Sequence, residues 1–215
     1  MILNYKSYWR KSGLKGKWGN IFLERLVKHN PKNVLEIGVF CGVTARNICD
    51  FLYKKNNNDF NYIGVDLFGS NQMQKKDEVE PTFLKNQKFS NPLKNIYYNY
   101  ILKENLNSIA SVEKLLKKYS QNIKLIAGDT NKKLKEIDLK NIDFTFLDGG
   151  HSYQTVISDL SILYENMKGK NKVVLCDDYG EASFILDVKN AIDDFSNKNN
   201  IKVKLIENRF AELIF

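Results

Sequence analysis

The sequence predicts an α/β fold: a doubly wound, mostly parallel seven-stranded sheet with helices on both faces and a C-terminal antiparallel hairpin. Two observations carry this prediction. Short apolar runs alternate with longer segments of helical periodicity, and several of the apolar runs end in acidic or glycine residues. Alternating strands and helices favour a parallel sheet. Ligands of such sheets bind at the carboxyl ends of the strands, so functional residues are expected there.

Five short apolar runs are interpreted as the parallel strands: residues 34–37, 62–65, 123–126, 142–147 and 172–176. A helix should follow the first strand, because apolar residues recur at helical spacing from Ala45 to Leu52. Further helices are predicted over residues 109–119, after the fourth strand as far as Gly169, and over residues 182–195.

The remaining segments fit one compact domain. Residues 201–206 and 211–215 are interpreted as the terminal hairpin. The length suits one domain over residues 1–215. Within it, residues 1–30 are predicted to form a helical segment that closes over the ligand. The connection from Asp66 to Ile123 is too long for one crossover helix, and we expect the remaining residues 70–104 to form an insertion that covers the active site.

Composition narrows the class of protein. The three cysteines, Cys41, Cys49 and Cys176, form no CxxC pair, which favours reduced thiols and a cytoplasmic location. No segment has the apolar length needed to span a bilayer, so no membrane partner is expected. The net charge is +8, but it comes from 29 Lys and only four Arg. Because Arg is the usual reader of guanine edges, no nucleic-acid partner is expected.

The turn after the first strand reads E-x-G-x-x-x-G, from Glu36 through Gly38 to Gly42. It differs from the G-x-G-x-x-G of dinucleotide enzymes, where bare backbone must approach the pyrophosphate. Phe40 stands at the second glycine position and would hinder that approach. S-adenosyl-L-methionine carries no phosphate, so the turn is compatible with this cofactor.

Further strand ends can complete such a cofactor pocket. The helix N-terminus after Gly42, with Thr44, can attract the methionine carboxylate. Asp66 ends the second strand, where a carboxylate can accept hydrogen bonds from both ribose hydroxyls. The third strand ends in Gly128, Asp129 and Thr130, near the expected place of the adenine.

The fourth and fifth strands end in three carboxylates, Asp148, Asp177 and Asp178. Neighbouring strand ends would bring them together, and three carboxylates suit Mg²⁺. A bound cation lowers the pKa of a substrate hydroxyl and fixes its oxygen. His151 lies three residues after Asp148 and can take the hydroxyl proton near neutral pH. The predicted catalytic residues are therefore His151 and Asp148.

Residues 34–48, VLEIGVFCGVTARNI, resemble the glycine-loop segment of catechol and caffeoyl-coenzyme A O-methyltransferases. Over residues 30–215, apart from the 70–104 insertion, the motifs resemble class I, Rossmann-like methyltransferases. Those families place metal ligands at the positions of Asp148, Asp177 and Asp178. With this resemblance, the predicted cofactor-binding residues are Glu36, Gly38, Phe40, Gly42, Thr44, Asp66, Leu67, Gly128, Asp129, Thr130 and Asp148.

Two positions differ from the catechol enzymes, and both differences concern the choice of substrate. The chain has Asp178 where catechol enzymes carry Asn, and His151 where they carry Lys. Macrolide-sugar O-methyltransferases are more similar here, with an Asp-x-x-His pattern and a paired acidic motif. The resemblance implies metal-assisted methyl transfer to a hydroxyl of a sugar-like small molecule. A homodimer is possible.

Other interpretations stay open. The chain could be a metal-independent N- or O-methyltransferase, or a non-catalytic S-adenosylmethionine-binding protein. A nicotinamide dehydrogenase and a nucleic-acid methyltransferase are more distant alternatives. Asp148 could cap a helix, the Asp177–Asp178 pair could form a solvated turn, and His151 could be a cap or a donor to substrate.

Overall fold

The computed structural model describes residues 4–69, 82–180 and 186–215. Seven strands form one sheet: β1 (Asn33–Ile37), β2 (Asn61–Asp66), β3 (Ile123–Ala127), β4 (Phe144–Leu147), β5 (Val173–Cys176), β6 (Lys204–Ile206) and β7 (Phe210–Ile214). Their order is β3-β2-β1-β4-β5-β7-β6. Strands β1 to β5 are parallel, and β7 pairs antiparallel with both β5 and β6. The predicted fold class and the terminal hairpin are confirmed.

The helices in the described part of the chain are α1 (Gly16–His29), α2 (Val43–Asn56), α3 (Thr82–Asn86), α4 (Pro92–Ile96), α5 (Ile109–Leu116), α6 (Thr130–Lys133), α7 (Tyr153–Met167) and α8 (Leu186–Asn199). Helix α4 continues without a break into a π-helical turn, Tyr97–Ile101. The first residues of the helix predicted over 182–195 lie outside the described residues. Among those described, no helix has the length and apolar character needed to cross a membrane.

Two apolar cores cover the two faces of the sheet. On one face α1, α2 and α5 contribute side chains such as Phe22, Ile48 and Val112. On the other face α7 and α8 contribute Leu160 and Ile192, among others. Helices on both sides bury the central strands β1, β4 and β5, as their continuous apolar runs predict, whereas β3 and β6 at the sheet edges are partly exposed.

A third, smaller cluster connects the insertion to the glycine turn. It comprises Cys41, Phe83, Phe89, Tyr98 and Leu106, with Phe40 packed against it. The described part of the insertion therefore packs on the turn that follows β1. Residues 70–81, the first part of the predicted insertion, lie outside the described residues.

The strand order reverses between β1 and β4, which are neighbours in the sheet but distant in sequence. Such a switch point leaves a crevice at the carboxyl ends of the two strands. The amide of Asp148 donates to the carbonyl of Ile37 at 2.8 Å, so the two strand ends meet there. This crevice is where the sequence places the functional residues.

Candidate active site

Gly38 occupies the point where the turn after β1 contacts the end of β4. Its φ is +90°, and a Cβ there would lie 1.8 Å from the carbonyl oxygen of Asp148. Its amide donates to the carbonyl of Val65 at 2.9 Å. The glycine is therefore required by the protein's own backbone, whatever ligand the turn also contacts.

Glu36 is fully buried in β1 beneath this turn. Its Oε2 accepts a 2.5 Å hydrogen bond from the hydroxyl of Tyr62, while its Oε1 has no hydrogen-bond partner. Burial raises the pKa of Glu36 to about 8, against the lowering effect of the Tyr62 hydrogen bond. The carboxyl group thus has one oxygen left over for a donor from a ligand.

Asp66, at the end of β2, holds two neighbouring backbone segments. Its Oδ2 accepts from the amide of Phe40 at 2.8 Å, and its Oδ1 accepts from the amide of Phe68 at 2.7 Å. Phe40 has a φ of +51°, so this hydrogen bond helps to hold an unusual conformation in the glycine turn. A ribose-binding role for Asp66 stays a prediction. Leu67, which follows, is half-buried.

Gly42 and Thr44 begin α2. Gly42 is the N-cap residue, with a φ of +76°. The Thr44 hydroxyl is buried and lies 2.7 Å from the hydroxyl of Tyr5, which in turn lies 3.1 Å from Ser12 Oγ. The side chain predicted to face the methionine carboxylate is thus engaged by the N-terminal segment.

The N-terminal segment crosses the glycine turn and reaches the end of β4. Arg10 is buried and donates to the carbonyls of Cys41 at 2.8 Å and Leu106 at 2.9 Å. A Cβ at Gly13 would lie 3.9 Å from Oδ2 of Asp148. The segment before α1 therefore lies beside both the turn and the carboxylate.

The end of β3 is shaped by local hydrogen bonds. The amide of Gly128 donates to the carbonyl of Asp66 at 2.9 Å, which ties the ends of β2 and β3 together. Asp129 caps α6, since its Oδ1 accepts from the amide of Asn131 at 3.0 Å. Thr130 is the first residue of that helix and is half-buried.

Asp148, His151 and Asp178 form one cluster at the ends of β4 and β5. Each offers one ligand atom, and these atoms all lie within 4.8 Å of one another. The Nε2 of His151 lies 3.4 Å from Oδ2 of Asp178. The three side chains line a cavity of about 10 Å³. That volume is about enough for one water molecule or a bare cation.

Asp177 lines the same cavity but has a different partner. Both of its carboxylate oxygens accept hydrogen bonds from Arg209, each at 2.6 Å. The side chain of Asp177 is only 2% exposed, so its carboxylate is almost completely withdrawn from water, whereas the side chain of Arg209 is 21% exposed. The sequence grouped Asp177 with Asp148 and Asp178 as a metal ligand, whereas the described structure groups those two with His151. A metal role for Asp177 stays a prediction.

The two carboxylates of the cluster differ in their electrostatic surroundings. Burial, followed by the charges of Asp177 and Asp178, raises the pKa of Asp148 well above its usual value. Burial would also raise the pKa of Asp178, but the hydrogen bond and charge of His151 outweigh it and lower that pKa. A divalent cation would stabilise the ionised form of both. The arrangement offers hard oxygen ligands beside an imidazole.

Sequence reasoning missed the residues that hold this site together. Arg209, Arg10 and Tyr5 were not singled out, although each bonds a predicted site residue or its turn. One signal was available, because a chain with 29 lysines uses arginine at only four positions. Arginine's planar group serves where several acceptors must be bound at fixed angles.

The chain matches known proteins at the level of family and fold. Residues 35–179 match a family model described as a methyltransferase domain. A comparison with curated proteins finds none that matches. Among solved structures, the cofactor-bound Rv0187 from MTB is 9% identical, with a TM-score of 0.62 over 96% of this chain and 84% of that chain. The O-methyltransferase from Bacillus cereus in complex with SAH is also 9% identical, with a TM-score of 0.58 over 95% and 83%.

The calicheamicin methyltransferase CalS11 is 18% identical, with a TM-score of 0.59 over 90% of this chain and 76% of that chain. At such identities these likenesses show the fold. The family match covers more than half of the chain, including the last three residues of β1, all of β2 to β5 and the cluster at their carboxyl ends. The chain therefore belongs to the methyltransferase-domain family, and the expectation of a methyltransferase enzyme with a class I, Rossmann-like fold is confirmed.

Proposed function

We propose that this methyltransferase transfers the methyl group of S-adenosyl-L-methionine to a hydroxyl of a small molecule, with the help of a divalent cation such as Mg²⁺. The observation that carries the proposal is the cluster of Asp148, His151 and Asp178 around one small cavity. Amine substrates need no cation to become nucleophilic. A carboxylate pair with an imidazole fits an alcohol, which must lose a proton as it is methylated.

Asp148 and Asp178 would hold the cation. Their carboxylate oxygens are the ligand type that Mg²⁺ prefers, and two protein ligands leave positions for substrate oxygens and water. A cation at this place lowers the pKa of a bound hydroxyl. To become the third ligand that the sequence predicts, Asp177 would have to leave Arg209, which binds both of its carboxylate oxygens.

His151 would take the hydroxyl proton. Its Nε2 lies 3.4 Å from Oδ2 of Asp178, and that carboxylate orients the ring and stabilises its protonated form. His29, the other histidine of the chain, is bound to Glu212 and lies outside this cluster. His151 is therefore the imidazole that the proposal assigns to catalysis.

The turn between β1 and α2, with the ends of β2 and β3, would bind the methyl donor. The unpaired Oε1 of Glu36 suits a donor of this cofactor, and Asp66, at the end of β2, is assigned to its ribose hydroxyls. Gly128, Asp129 and Thr130 stay the predicted neighbours of the adenine. The N-terminal segment, whose Gly13 lies beside Asp148, and the 70–104 insertion would exclude water from the site.

The acceptor we favour is a sugar or a similar aliphatic hydroxyl compound. The Asp-x-x-His pattern at Asp148 and His151 resembles macrolide-sugar O-methyltransferases. CalS11 is described, in its apo structure, as a TDP-rhamnose 3'-O-methyltransferase. Both lines of support point to a hydroxyl on a sugar ring.

The experiment is a methyl-transfer assay with a panel of nucleotide sugars, catechols and amines, before and after chelation by EDTA. We expect activity on a hydroxyl acceptor that is lost with EDTA and restored by Mg²⁺. Asp178→Asn should weaken the response to Mg²⁺, whereas Asp59→Asn, at an exposed site on the opposite end of the sheet, should not. Full activity after thorough chelation would contradict the role of the cation. Methylation of amines alone would contradict a hydroxyl acceptor.

A further inference from the structure

The helix formed by α4 and its π-helical turn presents an apolar face to solvent. Five large side chains on it are between 37% and 69% exposed: Leu93, Ile96, Tyr97, Tyr100 and Ile101. A contiguous group of exposed apolar residues usually marks a surface that binds something. The same helix also has a buried side, so its orientation is fixed by packing.

That buried side is well anchored. Tyr98 is buried and stacks on Phe89, with ring centroids 5.5 Å apart. The side-chain amide of Asn99 donates to the carbonyl of Gln87 at 3.1 Å, and Gln87 Nε2 donates to Asn99 Oδ1 at 2.7 Å. Asn91 caps the first turn by accepting from the amide of Leu93 at 2.9 Å. The exposed face therefore belongs to a fixed element of the fold.

Trp9 extends this face from the N-terminal segment. It is 43% exposed, and its ring lies 5.2 Å from that of Tyr97 and 5.7 Å from that of Tyr98. Lys94 lies over the same indole at 5.8 Å. Burial, followed by the charges of Lys15 and Lys11, lowers the pKa of Lys94. Aromatic, aliphatic and basic side chains thus share one surface.

The charge of the two segments that build this surface has a single sign. Residues 4–23 and 82–103 contain nine basic residues and no acidic residue. The rest of the chain has 24 basic residues beside 25 acidic ones, so the net charge of +8 is concentrated in these two segments. A negatively charged partner is therefore electrostatically complementary to the exposed helix.

We propose that Trp9 and the exposed face of residues 92–101 form a peripheral binding surface for an anionic lipid bilayer. Surfaces that bind at the boundary between lipid headgroups and acyl chains typically combine Trp, Tyr and aliphatic side chains with surrounding lysines, as this surface does.

Other partners fit this surface less well. A second copy of the chain would bring two basic surfaces together. A nucleic acid would use the lysines but leave Leu93, Ile96 and Ile101 unburied. This surface lies on the membrane rather than across it, and it departs from the sequence-based expectation of no membrane partner.

The test is flotation of the full chain with lipid vesicles, made either of phosphatidylcholine alone or of phosphatidylcholine with phosphatidylglycerol. We expect binding to the anionic vesicles and about tenfold weaker binding to the neutral ones, since each lysine near the surface contributes a severalfold effect. Physiological salt should weaken the binding but not abolish it, because the apolar face also contributes. Tryptophan emission should shift to the blue on binding, and Trp9→Phe should remove that shift.

Matched variants distinguish this surface from non-specific attraction. Tyr100→Ser with Ile101→Ser should lower binding to anionic vesicles about tenfold. Leu205→Ser with Ile214→Ser, at exposed positions on β6 and β7, should leave it unchanged. In the same way, Lys94→Gln with Lys103→Gln should weaken binding more than Lys54→Gln with Lys55→Gln on α2. Circular dichroism and methyl-donor binding show that each variant is folded.

Three results would overturn the proposal. The first is absence of binding to anionic vesicles at low salt. The second is equal binding by the Tyr100/Ile101 variant and the wild type. The third is a dimer, or retention on DNA, that the Tyr100/Ile101 substitutions abolish while vesicle binding persists, since the surface would then serve a different partner.

Discussion

Arg209 binds Asp177 through two parallel hydrogen bonds, from Nε and Nη2 to separate carboxylate oxygens, each 2.6 Å long. Arg209 lies in the turn between β6 and β7, while Asp177 follows β5. The same turn is pressed against the end of β5, because the amide of Tyr179 donates to the carbonyl of Arg209 at 2.8 Å. The C-terminal hairpin therefore positions Asp177 and, next to it, the Asp178 carboxylate of the candidate site.

Replacing Arg209 should destabilise the protein and disturb the site. Arg209→Ala leaves the carboxylate of Asp177 buried without its counter-charge, beside Asp148 and Asp178. We expect a loss of about 3 kcal/mol in the free energy of unfolding, with a smaller loss for Arg209→Lys. Urea denaturation measures both. Lys202→Ala, an exposed substitution with the same change of charge, is the control, and equal effects of the Lys202 and Arg209 substitutions would contradict the prediction.

The positions of the strand ends could be predicted from the sequence, because each depends on the residues immediately around it. Apolar runs that stop at Asp66, Asp148 and Asp177 identify the carboxyl ends of strands, and the rules of parallel sheets place neighbouring ends together. The convergence of Asp148 and Asp178 around one cavity follows from that reasoning. The adjacency of β4 and β5 is what brings it about.

The partners of these side chains could not be predicted, because they come from distant parts of the chain. Thr44 is bonded by Tyr5, 39 residues away, and Asp177 by Arg209, 32 residues away. Nothing in the local pattern around Asp177 distinguishes a metal ligand from an arginine partner. The choice depends on where the hairpin turn packs, which is a property of the folded chain.

Substitution of Gly38 tests whether backbone sterics alone require a glycine in this turn. A methyl group at residue 38 would meet the carbonyl oxygen of Asp148 at 1.8 Å, in addition to the cost of a φ of +90°. Gly169 has a φ of +74° but nothing within 4 Å of its added Cβ. We expect Gly169→Ala to cost about 1 kcal/mol and Gly38→Ala several times more, measured by urea unfolding without any ligand. Equal costs would show that the contact with Asp148 relaxes easily.

Glu36 should make stability depend on pH. Its pKa in the folded protein is raised to about 8, chiefly by burial, so the folded state binds a proton more tightly than the unfolded state does. The contribution of Glu36 to the free energy of unfolding is fully present below its unfolded pKa, near 4.5. It is lost as the pH rises toward 8. The slope is of the order of 1 kcal/mol per pH unit.

Glu36→Gln should flatten this dependence, because the amide stays neutral at every pH. The measurement is the free energy of unfolding of both proteins from pH 5.5 to pH 8. Glu113→Gln, on the exposed side of α5, is the control and should leave the slope unchanged. A variant whose stability declines with pH as steeply as the wild type's would show that Glu36 is ionised in the folded protein.

His151 should matter for turnover and little for binding of the methyl donor. The ring lies 3.4 Å from Asp178, in the cluster at the ends of β4 and β5, and the turn after β1 holds the groups expected to contact the donor. His151→Ala should lower kcat by about 10²- to 10⁴-fold, the usual contribution of a general base. The dissociation constant of S-adenosyl-L-methionine, measured by calorimetry, should change by less than about threefold, because the substituted side chain is not expected to contact the donor.

The control is His29→Ala, which removes the other imidazole and its bond to Glu212 and should leave kcat unchanged. If turnover survives in the His151 variant, proton removal falls to water or to a carboxylate.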